Sequence, residues 1–273
     1  MAIVLAVTNQ KGGVGKTTTS VNLAASLAAM RRTVLLIDLD PQGNATMGSG
    51  VDKAELESSV YDVLCDGMSV VDAIVEAESA GYELLGSNVD LTGAELELMD
   101  LERREFRLAE ALSAVRDRYD FIVIDCPPSL TLLTINGLVA ADAVIIPMQC
   151  EYYALEGLSA LVNTISRITG HLNPDLKIEG IVRTMFDPRN SLTIDVSRQL
   201  LDHFGDRVFR TVVPRNVRLA EAPSYGLPVL YYDRQSRGAR AYLALASELI
   251  RRYEERGWLS TASDASDASG EQA

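Results

Sequence analysis

Cysteine and histidine are scarce in this chain. The 3 cysteines, Cys65, Cys126 and Cys150, are odd in number and widely spaced. That excludes a disulfide framework and fits a reducing compartment. The 2 histidines, His171 and His203, share no metal-ligand spacing and read as surface helix residues. No apolar stretch is long enough to span a membrane, and no secretory signal precedes the first apolar run. Basic charge is also in deficit. Lys and Arg number 25 against 38 Asp and Glu, a net charge of −13. An evenly cationic surface for nucleic acid is therefore excluded. No internal repeat is apparent.

The chain is instead rich in short apolar runs. Its 273 residues are 47% hydrophobic, within reach of one large α/β domain. Runs at 3–7, 33–37, 121–124, 143–147 and 178–182 have the composition of buried parallel strands. Segments with helical period lie between them, such as 107–118 and 155–172. A last helix is expected near 239–256, with Tyr242, Leu245, Leu249 and Tyr253 at helical spacing. That stripe reads as a face packed on the sheet rather than a membrane anchor. The alternation predicts an α/β fold with a doubly wound, mostly parallel sheet flanked by helices. Residues 1–257 are expected to form a single domain. The small, polar, repetitive end of the chain, 258–273, is expected to be disordered.

Residues 9–19 read NQKGGVGKTTT, between a strand-like run and a helix-like segment. Strand, glycine-rich loop, helix is the context of a phosphate-binding loop. Glycines let backbone N–H groups turn inward around phosphate oxygens. The helix N-terminus adds free donors and positive dipole. Lys16 can reach the β- and γ-phosphates, and the Thr17 hydroxyl can ligate Mg2+. The common pattern would place glycine at position 10, where Gln10 stands. A second lysine, Lys11, opens the glycine run instead. The expected nucleotide cradle is Lys11, Gly12, Gly13, Val14, Gly15, Lys16, Thr17 and Thr18.

Two further strand ends carry carboxylates. In LLIDLDPQGNAT, residues 35–46, Asp38 and Asp40 are two apart and are expected to share one strand face. A carboxylate there can orient a water for in-line attack or hold the water shell of the metal. Pro41 and Gly43 suit a turn. In FIVIDCPPS, residues 121–129, four apolar residues end in Asp125, which would hold Mg2+ through water. Cys126 beside it reads as a packing residue, since one thiol cannot supply a cluster's ligand set.

These three elements, in this order, carry a resemblance. K-G-G-x-G-K-[ST] resembles the deviant Walker A signature of the MinD/ParA group of P-loop ATPases. D-x-D-P-Q-G-N and D-x-P-P-S resemble the two switch motifs of that group. Residues 211–223, TVVPRNVRLAEAP, and 151–157, EYYALEG, are similar to the ParA/Soj branch, and the likeness runs over about residues 2–256. The resemblance implies an ATP-sandwiched homodimer in which Lys11 contacts the nucleotide of the partner subunit. It implies that Asp40 is the catalytic aspartate and that Pro214 and Asn216 contact the base. The phosphate loop begins nine residues in, so no helix-turn-helix domain is expected before it, and site-specific operator binding is not expected. Tyr152 and Tyr153 read as core or interface aromatics.

Charge distribution bears on the DNA binding that this branch implies. Residues 52–110 hold 16 acidic against 4 basic residues, a balance of −12. Residues 180–252 hold 12 Arg against 7 acidic residues, a balance of +5. Arg189 and Arg218 match family positions implicated in DNA binding. The implied function is an ATP-dependent DNA-segregation ATPase that is slow alone and binds double-stranded DNA without sequence preference. A ParB/Spo0J-type centromere-binding protein would stimulate its hydrolysis and release it. A cytoplasmic, nucleoid-associated location follows. The alternative, a MinD-like ATPase cycling on a membrane, requires a basic amphipathic C-terminal helix, and the Ser/Asp/Ala end of this chain disfavours it.

Overall fold

The computed structural model describes residues 1–259. Eight strands form one sheet: β1 (Ile3–Val7), β2 (Val34–Asp38), β3 (Ile74–Ala77), β4 (Tyr82–Leu85), β5 (Phe121–Asp125), β6 (Ala143–Gln149), β7 (Lys177–Phe186) and β8 (Val208–Pro214). Their spatial order is β3-β4-β2-β5-β1-β6-β7-β8. All neighbours are parallel except the β3–β4 pair at the edge. The sheet is thus doubly wound and mostly parallel, as the sequence predicts. β3 and β4 escape a sequence reading because each is short and carries glutamate, so neither forms an apolar run.

Alternate residues of the central strands feed two cores. Val4, Ala6, Leu35, Ile37, Ile122 and Ile124 pack on one face. Leu5, Val7, Leu36, Phe121 and Val123 pack on the other, with Leu23 and Leu27 of the helix Lys16–Ala29 and Tyr242, Leu245 and Leu249 of the helix Arg237–Glu255. Covering both faces explains why β1, β2 and β5 are apolar and buried throughout. Each fully buried Leu, Ile or Phe stabilises the fold by roughly 1.5–3 kcal/mol relative to exposure.

The expected helix at 239–256 is the helix Arg237–Glu255, started by Ser236, whose hydroxyl accepts a hydrogen bond from Ala239 N at 3.1 Å. Its Tyr242, Leu245, Leu249 and Tyr253 are all buried, so this face is packed on the sheet as expected. The segment expected as one helix at 107–118 is instead a short helix Arg107–Leu112 followed by a 3-10 turn Arg116–Arg118. Trp258 lies at the start of the expected tail, its ring 5.9 Å from that of Tyr253. The remainder of that tail, 260–273, lies outside the described residues.

Strand register positions the chemistry. Asp38 is aligned with Asp125 across β2–β5, and Val7 with Asp125 across β1–β5. The end of β1, where the glycine-rich loop departs, and both aspartates therefore share one level at the carboxyl edge of the sheet. In parallel α/β sheets that edge forms the ligand crevice.

Candidate functional site

The loop between β1 and the helix Lys16–Ala29 is built around left-handed backbone. Gly13 has φ +72° and Gly15 +89°, a region that L side chains rarely adopt. No atom lies within 4 Å of where a Cβ would stand on Gly12 or Gly13, so these glycines border open space. Gly15 caps the helix without a side-chain hydrogen bond, leaving the first-turn N–H groups for an anion. Asn9 braces the loop, donating from Nδ2 to Pro147 O at 2.8 Å and accepting from Lys11 N at 3.0 Å. Thr184 Oγ1 donates to Val14 O at 2.7 Å from the far side.

Lys16 is buried within this loop, its Nζ donating to Lys11 O at 3.3 Å. Burial lowers its pKa, while the charges of Asp125 and Asp40 oppose that shift. Thr17 Oγ1 donates to Asp125 Oδ2, and Ser20 Oγ to Asp125 Oδ1, each at 2.8 Å. Burial pushes the Asp125 carboxyl up, and the nearby Asp38 charge adds to this; the two hydroxyl donors act against it. The expected metal residues Thr17 and Asp125 are thus brought together. Their donors are hard oxygens, and among the described residues no group of three His, Cys, Asp or Glu side chains is arranged to hold a metal ion by itself. Such a set suits Mg2+, which keeps waters and substrate phosphates in its shell.

The two aspartates of the second segment separate in role. β2 stops at Asp38, so the expectation that Asp38 and Asp40 share a strand face does not hold. Asp38 is fully buried and accepts from Thr46 N and Thr46 Oγ1 at 2.8 Å and from Asp40 N at 3.1 Å. It fixes the loop. Asp40 lies in the turn beyond, half-buried, with Oδ1 accepting from Gln42 N at 3.0 Å. Ser87 Oγ, unnoticed in the sequence, donates to Asp40 O at 2.9 Å. Gly43 closes this turn at φ +62°, where a Cβ would meet Ser87 O at 2.8 Å.

A cavity of about 340 Å³ opens beside the loop, lined by Gly15, Thr18, Thr184, Met185, Pro214 and Asn216. Pro214 and Asn216 therefore do stand at one cavity with the phosphate loop. The Asn216 side chain also caps the helix Val217–Glu221, accepting from Arg218 N at 3.0 Å. Thr184 and Met185, at the end of β7, went unrecognised. Met185 is left-handed at φ +49°, a conformation that costs a non-glycine residue of order 1–3 kcal/mol. A larger cavity of about 530 Å³ lies at the start of β8. Three of its arginines are paired with carboxylates, Arg252 with Glu248 at 3.0 Å, Arg256 with Glu179 at 2.6 Å and Arg251 with Glu255 at 3.9 Å.

The remaining expected residues lie at the surface. Lys11 Nζ is 2.7 Å from Glu151 Oε2, both side chains partly exposed. Arg189 forms a two-pronged pair with Asp187, and Arg218 pairs with Glu221 and Asp233. Arg183, counted in the basic balance, is buried against Ser197 and the carbonyls of Phe209 and Arg210. Tyr152 and Tyr153 are 74% and 71% exposed, which overturns a core role for either. Cys126 is buried, as a packing residue should be. His171 and His203 are exposed.

Comparison with known proteins gives this site its relatives. A family model described as an AAA domain matches residues 2–178. The sporulation initiation inhibitor protein Soj of Bacillus subtilis is 55% identical over 249 residues, 91% of this chain and 98% of that protein. The chromosome partitioning protein ParA of Caulobacter vibrioides is 52% identical over 255 residues, 93% and 96% of the two chains. Among solved structures, the cobyrinic acid a,c-diamide synthase of Mycobacterium smegmatis with bound ADP and magnesium has a TM-score of 0.82 at 40% identity, covering 93% of this chain and 96% of that one. The cell division ATPase MinD of Pyrococcus furiosus has a TM-score of 0.77 at 25% identity, covering 92% and 99%. With a glycine-rich phosphate loop, two aligned aspartates and relatives of this identity along nearly its whole length, the chain belongs to the ParA/Soj family of chromosome-partitioning ATPases.

Proposed function

We propose that the protein is a Mg2+-dependent ATPase whose ATP-bound form dimerises, binds DNA without sequence preference and lets go on hydrolysis. The observation that carries this reading is the convergence of Lys16, Thr17 and Asp125 at the carboxyl edge of the sheet, with the Asp40 charge close enough to act on Lys16. The loop N–H groups and Lys16 hold the phosphates, and the cavity at Thr18, Pro214 and Asn216 takes the base. Thr17 and Asp125 would hold Mg2+, which supplies charge neutralisation across the β- and γ-phosphates when bound. Asp40 orients the attacking water and accepts its proton as the bond to the γ-phosphorus forms and the bond from that phosphorus to the bridging oxygen breaks, ADP taking the electron pair as it leaves. Its anchor is a surface turn, braced by Ser87 and by the Asp38–Thr46 clasp. A loop of this kind hydrolyses slowly until a partner fixes it. A ParB-type protein is the proposed stimulator, consistent with the partition proteins among the relatives.

Lys11 is the second half of the reading. It stands at the rim, free to exchange Glu151 for the phosphates of a partner subunit. Each subunit alone offers few contacts to DNA, with Arg189 and Arg218 the proposed ones, so pairing two subunits strengthens binding by avidity. Such a protein works in the cytoplasm on the nucleoid. Mobility shifts on random duplex DNA, with ATP, ADP and no nucleotide, test the cycle. Retardation with ATP alone supports it, and equal retardation without nucleotide contradicts it.

A further inference from the structure

The helix Leu91–Met99 has one face that the fold accounts for and one that it does not. Leu91, Ala94 and Leu98 are fully buried in the core on one side of the sheet, where the helix packs on the segment Asp62–Asp66 and the helix Leu132–Ala140. On the opposite side Thr92, Leu96 and Met99 follow at helical spacing, and Val89 precedes them by one turn, with Thr92 N donating to Val89 O at 3.0 Å. Val89 is 73% exposed, Leu96 74% and Met99 59%. An exposed apolar stripe of this kind on a soluble helix marks a contact surface.

Its surroundings select the occupant. Asp90, Glu95, Glu97, Asp100 and Glu102 lie along the same helix and its ends. None of the five takes part in an ion pair among the described residues. They belong to the segment 52–110, with its balance of −12. DNA and an anionic membrane are repelled by such a face, and so is a second copy of it. We propose that the Val89–Met99 face docks a cationic amphipathic segment of a partner protein, whose apolar side chains cover Leu96 and Met99 and whose Lys or Arg side chains meet the carboxylate rim. Helix-in-groove recognition of this type uses anchors at the same spacing. The position is apt for control of hydrolysis. Ser87, two residues before Val89, holds the Asp40 carbonyl at 2.9 Å and donates from its N–H to Thr46 Oγ1 at 2.9 Å. That consequence rests on the proposed role of Asp40; the docking itself does not.

The test uses the full chain and two labelled synthetic helices, one of lysine and leucine and one of glutamate and leucine, followed by fluorescence anisotropy. The lysine peptide should bind and the glutamate peptide should not. The double variant Leu96→Ser, Met99→Ser should weaken lysine-peptide binding by roughly tenfold, because two apolar anchors are lost. Both side chains are exposed, so its melting temperature and ATP binding should match wild type. Asp202→Asn with Asp206→Asn, at the other end of the sheet, should leave peptide binding unchanged. Equal affinity of the Leu96, Met99 variant, an equal loss in the Asp202, Asp206 variant, or equal binding of the glutamate peptide overturns the proposal. A change in the ATP-dependent dimer fraction of the Leu96, Met99 variant also overturns it, since the stripe would then belong to a self-interface. No arm reads hydrolysis, so failure here is separable from failure of the ATPase reading.

Discussion

Lys11 Nζ lies 2.7 Å from Glu151 Oε2 within the single protomer. Lys11 opens the phosphate loop and Glu151 follows β6, so the pair spans the crevice rim. If Lys11 serves the nucleotide of a partner subunit, this contact must be given up on dimerisation. A partly exposed ion pair is worth about 0–1 kcal/mol, so the cost of exchange is small. Glu151→Gln should remove the competitor and shift ATP-dependent dimerisation to a few-fold lower protein concentration. Sedimentation across a concentration series measures this. An unchanged midpoint would show that Glu151 does not compete.

Asp40 and Lys16 should fail in different ways. Lys16→Ala removes the buried cation of the phosphate site and should abolish stable ATP binding. Asp40→Ala should retain binding and lose hydrolysis by about 100-fold or more, the usual scale of a proton acceptor. Ser87→Ala should give a smaller loss of kcat at unchanged nucleotide affinity, because only the bracing of the Asp40 carbonyl is removed. Nucleotide fluorescence and phosphate release separate these outcomes. Near wild-type turnover in Asp40→Ala sinks the assignment.

DNA binding should depend steeply on salt, since phosphate contacts release counterions. Arg189→Glu should weaken binding and reduce the salt slope by about one contact per subunit, with ATP affinity unchanged. Arg218→Glu should weaken it too, with some effect on the nearby cavity proposed for the base, because the Asn216 side chain accepts from the Arg218 N–H. Mobility shifts at two salt concentrations decide this. Undiminished binding by both variants places the DNA surface elsewhere.

Glu248 predicts an acid limb of stability. It is buried between β8 and the C-terminal helix, and burial alone would raise its pKa. The N–H groups of Arg210 and Thr211, the Thr211 hydroxyl and Arg252 outweigh burial and hold it below the usual glutamate range. A depressed folded-state pKa means that the unfolded chain binds the proton first as pH falls. The stabilisation is therefore present at neutral pH and lost as pH drops below that range. Glu248→Gln should cost about 1–3 kcal/mol at pH 7, with the deficit shrinking under acid conditions. Urea denaturation at neutral and acid pH checks it. A deficit that grows on acidification would contradict the sign.

The legible part of this site was the part encoded locally. Glycine spacing with Lys16 and Thr17 fixes a phosphate loop within a few residues, and Asp125 closes an apolar run. The doubly wound sheet was legible for a similar reason, since strands buried on both faces are continuous apolar runs. What the sequence hid depends on pairs distant along the chain. Asp38 resembles Asp40 in sequence, and only the Thr46 clasp shows it to be structural. Thr184 and Met185 reach the cavity of Pro214 and Asn216 because β7 ends beside the loop, which no local pattern reveals. Tyr152 and Tyr153 read as core or interface aromatics, and only their exposure on a turn after β6 excludes the core.

The central claim is an ATP-driven dimer closed by Lys11 in trans. Light scattering of Asp40→Ala, alone and combined with Lys11→Ala, tests it most directly because hydrolysis is silenced. The account predicts a dimer for Asp40→Ala with ATP, a monomer with ADP, and a monomer for the double variant with ATP still bound. A double variant that remains fully dimeric with ATP would contradict it.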